Sequence, residues 1–509
     1  MKSRTDYAIK NSMYSGITSV LNLCIQVLVR TFIIKIMGEE ILGLNSLFTD
    51  ILSILSMVEL GIGPALVYSL YLPLSKKKYA ELNSLMFFFK KIYIYIAIAI
   101  LIIGILLMFF LPNFVKINSD FSIVFFVYFL FLLNSVISYF FAYNRSLLFA
   151  DQKGYYVIVV DCITKTVGGI FQIILLFLFK NYLLFLFIQI FMTFFSNFFI
   201  NQLVQKKYKK IFKSKKEKLS KIKKMEIIKF FIGKASDKIG GCIVLGTDSI
   251  FISYFLGLKI VGIYDNYRMM LMSLYYLITS ILNSVGGGIG NLAVEEDDQT
   301  AIDTFKTHSL ITLLLSIIVA NGVMLASSPL IKLWIGKEFL LSREVIILML
   351  VDFFLRSIRT TAVLYGESFG LAWQQRWKAI IEAILNIFFS LLFLIVFKLG
   401  VIGILLGTII GSLLALNWYE PYIVFKHALH IRYIKYIKYF IIQIFVFVFT
   451  LSLSTCLDIL LPNDNFFSLI YRIIISLIIS SGFIILFYFK SSEFKNLIDL
   501  INKMIKKYI

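Results

Sequence analysis

Apolar residues recur along this chain in uninterrupted stretches of about 20 residues, parted by short polar connections from one end to the other. At a rise of about 1.5 Å per residue, a helix needs a stretch of that length to cross about 30 Å of hydrocarbon. The stretches lack the strict alternation of a barrel strand, so the spans are helices. They are predicted at residues 12–36, 44–71, 92–111, 121–142, 156–179, 182–204, 232–256, 263–285, 307–328, 344–368, 379–398, 401–420, 439–459 and 466–489. The expected fold class is an all-α polytopic membrane protein of about 14 transmembrane helices. The first stretch is long, carries Arg30 and has no small-residue cleavage pattern, so it reads as a permanent span.

Polar punctuation divides the chain. A basic stretch at 206–231 separates an amino-terminal six-helix bundle (1–205) from a second one (232–430), an additional helix pair fills 431–490, and 491–509 closes the chain. In that last segment Phe494, Leu497, Ile498, Ile501, Met504 and Ile505 share one helical face opposite Lys, as in a helix lying on the cytoplasmic leaflet. A weak repeat relates the bundles: Gly38 and Gly43 follow the first span, and Gly257 and Gly262 follow the seventh at the same spacing. Gly61-Ile62-Gly63 and Gly288-Ile289-Gly290 match in the same way. Two halves with an even number of spans share one orientation, and a cavity between them is the expected consequence.

Charge changes the picture by where it lies. The chain has 509 residues and a formal net charge of +21, a value that raises the question of nucleic acid. Eleven Lys fall between Lys206 and Lys224, and others cluster at 76–78, 426–438 and 490–507, each group against the end of a span. That is the signature of cytoplasmic loops facing anionic lipid headgroups, and it argues against nucleic acid as a partner. Both termini are expected inside. Four Cys stand singly in apolar runs and read as small hydrophobes, while the three His, with no metal spacing, read as juxtamembrane surface residues.

Ionisable residues at bilayer depth are costly unless they face a cavity or a partner. Asp161 with Lys165, Asp265 with Arg268, and Asp352 with Arg356 have helical spacing and could neutralise themselves within one helix. Arg30 and Arg359 have no acid one turn earlier. In the first span Thr18, Asn22, Gln26 and Arg30 recur every four residues on one face, a pattern suited to lining a cavity. Guanidinium groups match phosphate oxygens with a planar fork of donors. The expected substrate-binding set is therefore Arg30, Arg268, Arg356, Arg359, Lys165, Gln26 and Asn22. Glu59, Asp248, Asp352 and Glu367 are the candidates for counter-charge or ion coupling, with Glu382 a further counter-charge. No catalytic residue, metal site or cofactor is expected, and H+ and Na+ stay open as coupling ions.

Several strings resemble the polysaccharide flippases of the multidrug, oligosaccharidyl-lipid and polysaccharide exporter (MOP) superfamily: LLFADQKGYY from Leu147, GIYDNY from Gly262, LWIGKEFL from Leu333, ESFGLAWQQRWKAIIEAILN from Glu367 and NWYEPYIVFKHAL from Asn417. The resemblance implies two six-helix bundles in a V, alternating access, and an oligosaccharide on undecaprenyl diphosphate as substrate in a bacterial plasma membrane. The family's basic residue in the first span looks like Arg30, and its acidic position in the seventh like Asp248. The last two spans are similar to the extra pair of the lipid II flippase, which lines a groove for the lipid tail. Polysaccharide polymerase machinery is an implied partner. Two alternatives stand beside this one: a drug/cation antiporter of the same superfamily, and a membrane polymerase or glycosyltransferase. The surplus of Arg argues against the first. The short outside loops, such as the one holding Glu39 and Glu40, leave the second no room for catalytic groups.

Overall fold

In the computed structural model the described parts of the predicted spans are helical except for short turns, as at 139–142, Arg359 and 416–418. The described residues are 4–56, 62–114, 121–217, 219, 225, 243–244, 246–286, 298–369, 371, 374–461 and 466–499, and no strand occurs among them. Glu59 lies outside the described residues, as do Cys242, residues 288–290 and the 501–509 end of the amphipathic segment. Nine helices among those described are long and apolar enough to cross a membrane, and a pair bent by 43° supplies a tenth. The other predicted spans do not meet that test as single helices. Residues 44–71 divide between two helices, 232–256 lie largely outside the described residues, 263–285 carry Asp265 and Arg268, and 344–368 divide at Arg359.

The chain forms two compact units, Met1–Gly262 and Ile263–Ile509. The first holds α1 (Arg4–Met37), α2 (Glu39–Leu55), α3 (Ile62–Ser75), α4 (Tyr79–Met108), α5 (Phe121–Ser138), α6 (Tyr143–Ala150), α7 (Tyr155–Phe179), α8 (Tyr182–Lys207) and α9 (residues 246–256). The chain turns between α1 and α2 at Gly38 (φ +87°) and after α9 at Gly257 (φ +95°), where a side chain would be strained. In the core Phe48 of α2 packs edge-on against Tyr128 and Phe131 of α5, at ring separations of 5.3 and 5.9 Å. The Tyr128 hydroxyl donates to the Gly104 carbonyl of α4 at 3.2 Å, so the ring's polar end is satisfied within the packed core.

The second unit takes most of α10 (Leu258–Gly286), then α11 (Asp298–Trp334), α12 (Arg343–Ile358), α13 (Thr360–Ser368), α14 (Lys378–Leu391), α15 (Val401–Ala415), α16 (Tyr419–His427), α17 (Ile434–Leu460) and α18 (Phe466–Tyr488). Helices α14 and α15 meet through Gly403, Gly407 and Gly411, one per turn: a Cβ at Gly407 would collide with Ser390, and one at Gly403 or Gly411 would press on Phe393 or Asn386. Small residues at that spacing let membrane helices approach closely enough for dispersion to hold them. The additional pair, α17 and α18, is built into this unit. Phe354 stacks on Phe447 at 3.9 Å, Gln443 donates to Ser309 at 3.0 Å, and Asn321 donates to Ser480 at 3.0 Å. The buried Arg472 donates to the Leu325 carbonyl and the Asp458 carboxylate, both at 2.6 Å, and Arg343 reaches the other Asp458 oxygen at 3.2 Å.

Candidate functional site

The polar line of α1 spans about 18 Å from Thr18 to Arg30 at the helical rise. Thr18 is buried and returns its hydroxyl to the Tyr14 carbonyl at 2.7 Å. Asn22 Oδ1 is buried without a hydrogen-bond partner among the described residues, Gln26 is exposed, and Arg30 is half-buried. The Arg30 guanidinium donates to the Gly262 carbonyl at 3.4 Å, which puts it beside the start of α10. Asp248, on α9, is buried, and its neighbour Ser249 donates to Asp50 of α2.

Lys165 is exposed on α7. The acid one turn before it, Asp161, is held instead by Arg145 of α6, through two parallel bonds of 2.6 and 2.9 Å. Ser196 and Asn197 of α8 complete the cluster, with Ser196 donating to Asp161 at 2.7 Å and Asn197 accepting from Arg145 Nε at 2.9 Å. Sequence reading missed Arg145, which falls in a predicted loop. Nearby, Tyr208 donates to Asp151, and burial together with that carboxylate pushes the Tyr208 hydroxyl above its ordinary value.

In the second unit the two remaining same-helix pairs form as spaced: Arg268 with Asp265 at 2.6 Å and Arg356 with Asp352 at 2.8 Å. Asp352 Oδ1 stays buried without a hydrogen-bond partner among the described residues. Arg359, which has no acid one turn earlier on its helix, lies 3.2 Å from Glu420 of α16 and 3.9 Å from Glu382 of α14. Glu420 is almost fully buried and also receives Lys378 at 2.9 Å, while Lys378 donates to Gln375 at 2.7 Å. Arg359, at the α12–α13 junction, thus joins Glu382 of α14 and Glu420 of α16 in one network, with Lys378 on the same Glu420. Arg268 and Asp265 form their own pair on α10, and Glu367 is exposed on α13.

Glu420 and Lys378 were not among the expected site residues. Glu420 sits inside a quoted string, NWYEPYIVFKHAL, but its charge fell at the end of a predicted span, where acids are cheap. His308 also differs from expectation. It is buried, with Nδ1 2.9 Å from the Thr361 hydroxyl, because α13 packs over α11 there, whereas His427 and His430 are exposed as expected.

A family model described as polysaccharide biosynthesis protein matches residues 8–286. No curated protein matches the chain. Among solved structures, the lipid II flippase MurJ in an inward closed conformation is similar with a TM-score of 0.67 at 17% identity, covering 94% of this chain and 99% of that one. An inward-facing MATE family multidrug resistance transporter of the MOP superfamily gives 0.63 at 12% identity, covering 82% and 99%. A MATE transporter from Vibrio cholerae gives 0.59 at 13% identity, covering 84% and 99%. The three share one fold, and the family match extends over more than half of the sequence, including the polar line of α1. This chain belongs to the polysaccharide biosynthesis protein family, and it has the fold that the lipid II flippase and the MATE transporters share.

Proposed function

We propose that this protein flips an undecaprenyl-diphosphate-linked oligosaccharide, a precursor of cell-surface polysaccharide, from the inner to the outer leaflet of a bacterial plasma membrane. The activity is transport by alternating access rather than catalysis, with both termini in the cytoplasm. Residues 1–205 and 232–430 act as the two halves, joined by the linker at 206–231, and 431–490 adds the helix pair.

The observation that carries this reading is the polar line of α1, where Asn22 Oδ1 is buried with no hydrogen-bond partner among the described residues and Arg30, at the end of the line, donates to the Gly262 carbonyl. The guanidinium presents a planar fork of donors, so a diphosphate arriving there is met by charge-assisted bonds. Arg268, Arg356 and Arg359 already hold carboxylates and contribute only by exchanging them. Lys165 and Gln26 add polar surface. Asp248, Asp352 and Glu367 are the carboxylates available to couple an H+ or Na+ gradient, and polysaccharide polymerase machinery is the partner that would consume the product.

A second reading, drug/cation antiport, draws on the buried carboxylates Glu382 and Glu420 and the fold shared with MATE transporters. One experiment separates the two. The protein is reconstituted in liposomes with a defined undecaprenyl-diphosphate oligosaccharide, and the sugar's accessibility to an external lectin is followed beside dye efflux. Lectin-accessible sugar appearing only with protein supports the flippase, and dye efflux without it supports the antiporter.

A further inference from the structure

The basic linker begins as an ordered strap on the first unit. After α8 a short helix, Lys209–Lys213, buries Ile211, and the chain then runs along the start of α4. The buried Asn83 donates to the Ser214 carbonyl at 2.7 Å, and the Glu217 amide donates to the Ser84 hydroxyl at 2.7 Å. These two bonds fix the backbone on either side of Lys216. Its ammonium consequently stands 3.5 Å above the centre of the Phe87 ring, and Lys91, one turn along α4, reaches the same ring at 4.9 Å.

Two cations are thus gathered on one exposed aromatic ring, with Lys90 also exposed beside them. Among the described residues neither Lys91 nor Lys216 has a carboxylate at ion-pair distance. Like charges held together repel, and the electron-rich ring face offsets only part of that cost. An anion bridging the two ammonium groups would remove the rest.

Position says which anion. The apolar run of α4 starts at about residue 92, so Phe87 sits at the level where aromatic side chains meet lipid headgroups, on the side where the lysine-rich loops gather. The anion most concentrated at that level is the phosphate of an anionic phospholipid. We propose that Phe87, Lys91 and Lys216 form a binding site for one anionic phospholipid headgroup of the cytoplasmic leaflet. An occupied site ties the linker to α4 through the lipid as well as through Asn83 and Ser84. This goes beyond the transport reading and does not depend on it.

Native mass spectrometry of the full-length protein tests it, with phosphatidylglycerol titrated against phosphatidylcholine. The parent binds the anionic lipid preferentially. Each lysine contributes about fivefold, so Lys216→Gln loses about fivefold and the double variant Lys91→Gln, Lys216→Gln about 30-fold. A control with Lys337→Gln and Lys398→Gln, both exposed elsewhere, keeps parental binding. Lys216 lies in the linker outside any span, so its single variant is read even where the double one folds poorly. Parental affinity in Lys216→Gln, or an equal loss in the control, overturns the proposal. So does displacement of the lipid by inorganic phosphate or by equimolar undecaprenyl diphosphate, which would mark a free-anion site or a substrate port. Lipid retention is measured without transport, so its failure and a failure to flip substrate are separate results.

Discussion

Gly43 and Gly262 pack backbone to backbone: a Cβ on Gly262 would stand 3.3 Å from the Gly43 nitrogen and 3.0 Å from the Glu39 carbonyl oxygen. A Cβ on Gly43 would lie only 2.1 Å from the Leu258 carbonyl oxygen. Glu39 and Lys259 pair at 2.9 Å across the same crossing. Each glycine comes five residues after one of the positive-φ glycines, Gly38 and Gly257, so the repeat in the sequence is a repeat in the packing.

The first prediction follows from those clearances. Gly43→Ala pushes a methyl into backbone, which has no rotamer to yield, and is expected to cost about 1–3 kcal/mol. Gly262→Ala needs a shift of only a few tenths of an ångström and is expected to cost less. Thermal unfolding in detergent gives the order, and a larger loss in Gly262→Ala would contradict this packing.

The network around Glu420 supplies the second. Glu420→Gln removes the buried carboxylate that Arg359 and Lys378 share, and breaking a buried pair costs about 3–5 kcal/mol. Folded yield and unfolding temperature are expected to fall sharply. Adding Lys378→Met removes the surplus cation, and partial recovery in the double variant is the diagnostic result.

A third concerns the additional helix pair. Asp458→Asn deprives Arg472 and Arg343 of their shared acid, whereas Asp458→Leu with Arg472→Leu removes both buried charges. The single change is expected to be the more damaging of the two, because an uncompensated buried guanidinium is worse than an apolar replacement of the pair. Limited proteolysis between α17 and α18, with unfolding temperature, ranks the variants. Equal damage would mean that the ion pair matters less here than the packing of Phe354 on Phe447.

Much of this was legible in the sequence, because membrane helices declare themselves by long apolar runs and same-helix ion pairs by their spacing. Arg268 with Asp265 and Arg356 with Asp352 are of that kind. Arg145 with Asp161, Arg359 with Glu420 and Arg472 with Asp458 are not, since each joins two helices and only tertiary packing brings them together. Spacing alone paired Asp161 with Lys165, and a neighbouring helix offered the better-placed Arg145, whose planar fork takes both carboxylate oxygens. His308 was misplaced for a related reason. A lone polar residue near the start of a span looks superficial until α13 is seen to cover it.

Arg30→Gln in the lectin-accessibility assay asks whether Arg30 holds the diphosphate of a lipid-linked oligosaccharide. Losing a charge-assisted hydrogen bond costs about 1.5–3 kcal/mol, or about 10- to 150-fold in substrate affinity. Arg30→Lys is expected to recover only part, since it keeps the charge and loses the fork. Folded yield is measured on the same samples, so that a structural loss is not read as a functional one. Weakened substrate binding at normal yield is the expected result. Arg30→Gln protein that folds normally and flips substrate with the parental rate and affinity would contradict it.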